Sequence, residues 1–274
     1  MAVCRGQSVH KYEVTCNSMA IETLVILFCA GLFAGAVSAL AGGSTIITFP
    51  VLLASGLPPI VANATNFLTA LPSNAGATMA YRDELAKHKA VIWRLALISL
   101  FGGGFGCFLL LIISNDVFSS LIPWLLLAAT LLLAFGKQIQ TAIADKLQPK
   151  TKANTTELGI GQIFVIFAIS VYGGFYGGGL GIAMLAGMTL IGFNQYHTAN
   201  ALKNLTNATI GVLGVVIYAI SGLISWPHAL VLMAGSSIGG YTAVRIAKHL
   251  PQIWLTRAII LLGFSFSIYY FLAN

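Results

Sequence analysis

The sequence predicts an all-α, polytopic membrane protein made of two five-element halves arranged as an inverted repeat. Three observations carry this. Only 8% of the 274 residues are charged and 58% are hydrophobic, against about 25% charged in a soluble domain. Most apolar runs are long enough to cross a bilayer as helices, and all outrun the ~10 residues of a barrel strand or fall between glycines. The pattern of the first half then returns in the second.

In order, the first half (21–137) places apolar elements at 21–41, 45–55, 60–81, 90–114 and 117–137. The second half (159–273) places them at 159–178, 181–192, 197–221, 226–247 and 252–273. Residues 1–20 form an N-terminal tail and 138–158 a polar linker. The first element, LVILFCAGLFAGAVSALA, resembles a signal peptide, but its glycine-rich pattern recurs mid-chain, which argues against cleavage. The second element of each half is too short to span as a helix and follows glycines: AGGST before 45–55 and YGGGLG before 181–192. Short, glycine-interrupted segments at matching places in two halves point to a transporter binding site. The third elements carry ANATN and ANALKNLTN. A gapless offset of 137 places Asn63 on Asn200, Asn66 on Lys203 and Ser44 on Gly181. Pro72 interrupts the third element and predicts a kink.

Eleven of the fourteen Lys and Arg fall in 82–94, 137–152 and 245–257. The positive-inside rule makes loops 82–89, 138–158 and 245–252 cytoplasmic, in an inner cell membrane, and the N-terminus extracytoplasmic. The cytoplasmic loop follows element three in the first half and element four in the second, so the halves have opposite orientations. The net charge of +7 is explained by these loops, and no nucleic-acid partner is expected.

On the helix 197–221, Asn200, Lys203, Asn204 and Asn207 fall within an arc of about 100° at ~100° per residue. Two structural readings compete: asparagines as interhelical glue, and Lys203 snorkelling to the headgroups. Against them, the apolar elements hold almost no acids, and an unpaired ammonium in a bilayer costs several kcal/mol. A bound anion is a natural partner. Asparagine amides donate to it, and the breaks at Gly43, Ser44, Thr45 and at Gly179, Gly181 offer backbone N–H groups at half-helix N-termini. The candidate substrate site is therefore Lys203, Asn200, Asn204, Asn207, Asn63, Asn66, Ser44, Thr45, Gly43, Gly179 and Gly181. This set favours a small oxyanion over Na⁺.

No GxxxxGK[ST], HExxH, paired carboxylates or Ser–His couple occurs in the apolar elements, which disfavours ATP-driven transport and an intramembrane enzyme. No cofactor is expected. Of the four cysteines, Cys29 and Cys107 read as small hydrophobes, while Cys4 and Cys16 could form a disulfide in the tail.

The segments GLFAGAVSALAGGSTIITFPVLLASGLPPIVANATN, GGFYGGGLGIAMLAGMTLIGFNQYHTANALKNLTN and SGLISWPHALVLMAGSSIGGYTAVRIAKHLP resemble the TauE/SafE sulfite exporter family. The resemblance implies two related halves and outward movement of sulfite, sulfoacetate or a related anion. Family members often show a longer glycine run where this chain has Ser44 and Thr45. The leading expectation is a secondary exporter working by alternating access. A passive anion channel, or an importer of an anion such as thiosulfate, remains the alternative.

Overall fold

The computed structural model describes residues 21–40, 43–146, 158–193, 195–246 and 252–273. These form eleven helices and no strand: α1 (Ile21–Leu40), α2 (Thr45–Ala54), α3 (Pro59–Ala80), α4 (Arg82–Ala86), α5 (Lys89–Ile112), α6 (Asn115–Lys146), α7 (Ile160–Phe175), α8 (Leu180–Leu190), α9 (Tyr196–Ile220), α10 (Trp226–Ile246) and α11 (Gln252–Ala273). The tail with Cys4 and Cys16, residues 147–157 of the linker and residues 247–251 of the third basic loop lie outside the described residues.

Three helices are each long and apolar enough to cross a membrane: Lys89–Ile112, Asn115–Gly136 and Tyr196–Ile220. Phe101, Phe105 and Phe108 stand exposed on one face of α5, the side chemistry that lipid rather than water tolerates. By contrast α2 has 10 residues and α8 has 11. At 1.5 Å per residue each covers only about half of a ~30 Å hydrocarbon core.

Two boundaries differ from the sequence expectation. Helix α6 runs on to Lys146 instead of ending at 137, because no breaker follows Gly136 until Pro149 and the intervening Ala, Gln and Lys are good helix formers. The loop 82–89 contains the short helix α4, with Asp83 and Glu84 in its first turn, where acids suit the helix dipole. Helix α3 stays helical through Pro72.

The tightest seams are α1 against α10 and α5 against α7, and glycines build both. A Cβ on Gly102 would lie 2.9 Å from the Phe167 carbonyl and one on Gly106 2.1 Å from that of Val171. In the other seam, Gly235 meets the Phe28 carbonyl at 2.4 Å and Gly239 that of Leu32 at 1.9 Å. The two seams are thus built alike, small residue against backbone. Matching them pairs Gly102 with Gly235 and Gly106 with Gly239, an offset of 133, and Phe28 with Phe167, an offset of 139. The gapless 137 is corrected here: turns outside the third elements differ in length, so each helix carries its own offset.

Helices α3 and α9 run antiparallel. Tyr81 bonds Asn200, Leu71 lies against Gly211 and Phe67 against Gly214. At one end of the bundle, the Ile60 amide donates to Asn115 and the Ser225 amide to Thr65. At the other end, Thr198 donates to Glu84 and the His88 ring meets Phe193. Between them sits the core, where Phe49 packs edge-on to Tyr176 at 5.4 Å and Phe67 to Tyr218 at 5.3 Å.

Gly239→Ala should destabilise the protein by about 1–3 kcal/mol, the usual cost of overpacking. Gly76→Ala should be neutral or stabilising, since nothing lies within 4 Å of its Cβ position and alanine favours a helix. Thermal unfolding in detergent checks the contrast; equal shifts would contradict the packing described.

Candidate functional site

Helices α7 and α8 form a hairpin: α8 folds back along α7, so that Gln162 Nε2 near the start of α7 donates to the Ile191 carbonyl at the end of α8 at 3.0 Å. The chain leaves α7 at Phe175 and enters α8 at Leu180 through Gly177 (φ 75) and Gly179 (φ 71). Both sit in the left-handed region, which glycine adopts without steric cost. Such a break frees carbonyls at the end of α7 and amides at the start of α8.

The protein satisfies the carbonyl side. The Gly174 carbonyl accepts from the Tyr218 hydroxyl at 2.7 Å and the Cys107 thiol at 3.4 Å. The Phe175 carbonyl accepts from Asn63 Nδ2 at 2.8 Å, and the Gly178 carbonyl from the Tyr172 hydroxyl. The amide side differs. Leu180, Ile182 and Ala183 donate to the Gly177 and Gly179 carbonyls, but among the described residues the amides of Gly178, Gly179 and Gly181 make no backbone hydrogen bond.

Helix α9 delivers polar groups to that side. Asn207 is 5% exposed, and its Nδ2 lies 3.7 Å from the Cβ position of Gly181. Its Oδ1 is buried without a partner, and no hydrogen bond to its side chain is found among the described residues. One turn earlier stands Lys203, half-buried. The ion pairs among the described residues involve Arg82, Lys87 and His88 and not Lys203. Asn204, buried, shares the face.

The predicted residues therefore divide into three places. Asn207, Gly179, Gly181 and, from the carbonyl side, Asn63 gather at the α7–α8 break, with Lys203 and Asn204 one turn along α9. Asn66 lies with α2 instead: its Oδ1 accepts from Thr48 and, at 3.1 Å, from Thr69. Gly43 and Ser44 lead into α2, where the Ser44 carbonyl takes the Thr48 hydroxyl at 3.1 Å and Thr45 is buried. Asn200 is drawn to the end of the bundle, donating to the Tyr81 hydroxyl at 3.1 Å.

Sequence reading missed Tyr81, Tyr218, Thr48 and Thr69. A signal existed for the tyrosines, which stand 137 positions apart, the offset that pairs Asn63 with Asn200. Tyr176, beside the break, is fully buried with its hydroxyl unpartnered. No group of three or more His, Cys, Asp or Glu able to hold a metal ion occurs among the described residues.

Long apolar helices with phenylalanines turned outward define a multi-pass membrane protein. Within that class, the family profile "Sulfite exporter TauE/SafE" matches residues 27–270, and the chain belongs to the TauE/SafE family. It is similar to a probable membrane transporter protein of Haemophilus influenzae, 29% identical over 245 residues, covering 89% of this chain and 92% of that protein. It is also similar to the probable membrane transporter protein YfcA of Escherichia coli K12, 26% identical over 246 residues, covering 88% and 86%. A third relative is the probable membrane transporter protein YunE of Bacillus subtilis, 27% identical, covering 88% and 95%.

At the Tyr81 end, hydrogen bonds from Lys87 (2.7 Å) and Thr198 (2.6 Å) hold the Glu84 carboxyl below its usual range. A carboxylate lowered in the folded state stabilises above its unfolded value of about 4.3, and that contribution fades as pH falls through the folded value. Glu84→Gln should therefore unfold at lower temperature than the wild type near about pH 7. The gap should close below about pH 4. Unfolding curves across pH check this, and a gap that persists in acid would remove the carboxylate as its cause.

Proposed function

We propose that the protein is a secondary transporter that exports a small sulfur-containing oxyanion, sulfite or an organosulfonate, by alternating access. The observation that carries it is the combination at the α8 N-terminus. Amides without backbone partners and a lysine without a counter-charge among the described residues ask for the same thing, an anion with several acceptor oxygens, to which the Asn207 Nδ2 amide can donate as well. The backbone carbonyls of Gly174, Phe175 and Gly178, which would attract a cation instead, are taken by Tyr218, Cys107, Asn63 and Tyr172, while the Oδ1 atoms of Asn63 and Asn207 stay without a partner.

The halves form an inverted repeat in which α2 and α8 are half-helices that return to their own side. Exchange of partners between halves supports this: α1 packs on α10 as α7 does on α5, α2 on α11 as α8 on α6, and α3 on α10 as α9 on α5. The antiparallel pairing of α3 with α9, third elements of their halves, supports it further. The basic loops make the Tyr81 end cytoplasmic in the inner cell membrane. There the anion loads, meets Lys203 and Asn207, and leaves towards the Ser225 end. Sulfite offers three oxygens to these donors.

Sulfite should raise the unfolding temperature of the purified protein. Lys203→Ala should weaken its binding on the order of 10–100-fold, the value of a charge-assisted hydrogen bond. Counterflow in proteoliposomes over sulfite, sulfate, thiosulfate and sulfoacetate ranks the substrates. Equal stabilisation of wild type and variant removes Lys203 from the site. Flux that never saturates replaces the transporter with a channel.

A further inference from the structure

The two halves differ at one seam, and the difference has a direction. In the second half, α9 closes on α5. A Cβ on Gly103 would stand 3.0 Å from Ile210 Cγ1 and 3.4 Å from its Cβ, one on Gly104 3.1 Å from Leu213, and one on Gly214 3.5 Å from Cys107 Sγ. Gly103, Cys107, Ile210 and Gly214 are all buried.

The packed-seam offset on α10 and the sequence offset of the third elements give each residue its counterpart. On α10, 133 positions on, Ser236 matches Gly103 and Gly240 matches Cys107. On α3, 137 positions back, Ser73 matches Ile210, Gly76 matches Leu213 and Ala77 matches Gly214. Here the seam stands open. Ser73 and Gly76 are exposed, and Ala77, Ser236 and Gly240 half-exposed. Among the described residues nothing lies within 4 Å of the Gly76 Cβ position, and that of Gly240 meets only Gly35 of α1. Yet α10 is seated on α1 as firmly as α5 is on α7, so the gap comes from α3 and not from a displaced α10. Ser73, Gly76 and Ala77 belong to the half of α3 that leads to Tyr81 and α4.

We infer that the structure is one of two alternating states, open along the α3–α10 seam at the Tyr81 end and closed along the α5–α9 seam at the Ser225 end. The inference rests on the inverted-repeat reading above and assigns its gates. In the opposite state α3 swings onto α10, seating Ser73 and Gly76 against Ser236 and Gly240, while Ile210 and Leu213 leave Gly103 and Gly104. The small residues lining the open seam suit that closure: Ser73, Gly76, Ala77, Ser236 and Gly240 admit close approach of two helices.

Cysteine pairs test the assignment in a background with Cys4, Cys16, Cys29 and Cys107 replaced by alanine. The Gly103→Cys, Ile210→Cys pair has Cβ positions 3.4 Å apart, close to the ~3.5–4.5 Å that a disulfide requires. It should cross-link in the purified, substrate-free protein. The Ser73→Cys, Ser236→Cys pair should not do so there, but should form in native membranes, where the transporter cycles. Each cross-link should stop flux and each reductant treatment restore it. Single variants give a second reading without a disulfide. In substrate-free protein a polar maleimide should label Ser73→Cys at least tenfold faster than Ile210→Cys, and cycling should bring the two rates together. The inference is overturned if the Ser73–Ser236 pair never forms, if the first cross-link leaves flux intact, or if Ile210→Cys labels as fast as Ser73→Cys. It is also overturned if Ser73→Cys cross-links between two copies of the chain, because that face would then be an interface. Both disulfides forming while sulfite is not carried would sink the anion reading and leave the gates standing.

Discussion

A buried turn between two helices leaves carbonyls and amides that the helix ladders do not satisfy, and the candidate site follows from how α7 and α8 meet that constraint. In hydrocarbon each unsatisfied backbone group costs several kcal/mol. The carbonyl end of the break is closed by donors from three other helices: Asn63 of α3, Cys107 of α5 and Tyr218 of α9. The amide end is left to Asn207 and its neighbour Lys203. Closed backbone carbonyls beside open amides are what the proposed anion site rests on, with no need for a cluster of basic residues.

The halves divide the labour. Asn66 and Lys203 occupy matching positions, but Asn66 is held by Thr48 and Thr69, whereas Lys203 has no ion-pair partner among the described residues. One break is thereby tied into the packing and the other keeps a free ammonium. The same asymmetry reaches the helix seams: α5 carries glycines where α9 presses in, while the half of α3 with Ser73 and Gly76 is exposed beside α10. A duplicated chain with identical halves would hold two sites and no preferred direction. Here sequence divergence places the lysine in one half only.

Much of this was legible beforehand for physical reasons. Apolar length separates spanning helices from α2 and α8, and the 3.6-residue period puts Lys203, Asn204 and Asn207 on one face whatever they touch. Partners are a different matter. Asn63 and Asn200 are equivalent in sequence, yet one caps the Phe175 carbonyl and the other bonds Tyr81, because what a side chain meets is set by helices remote in the chain. A single gapless offset matched the third elements, but the glycine seams showed 139 and 133 elsewhere, since turns lengthen and shorten while packed helices keep register. Tyr81 and Tyr218 hid among apolar residues, and only their bonds mark them as polar.

The central claim, that the α8 N-terminus with Asn207 and Lys203 is an anion site, is tested most directly by a structure with bound selenite, the heavier analogue of sulfite. Selenium density should lie within hydrogen-bonding reach of the Gly179–Gly181 amides and Asn207, with the Lys203 ammonium alongside. Density elsewhere, or an empty break with Lys203 paired to a carboxylate of the chain, would contradict it.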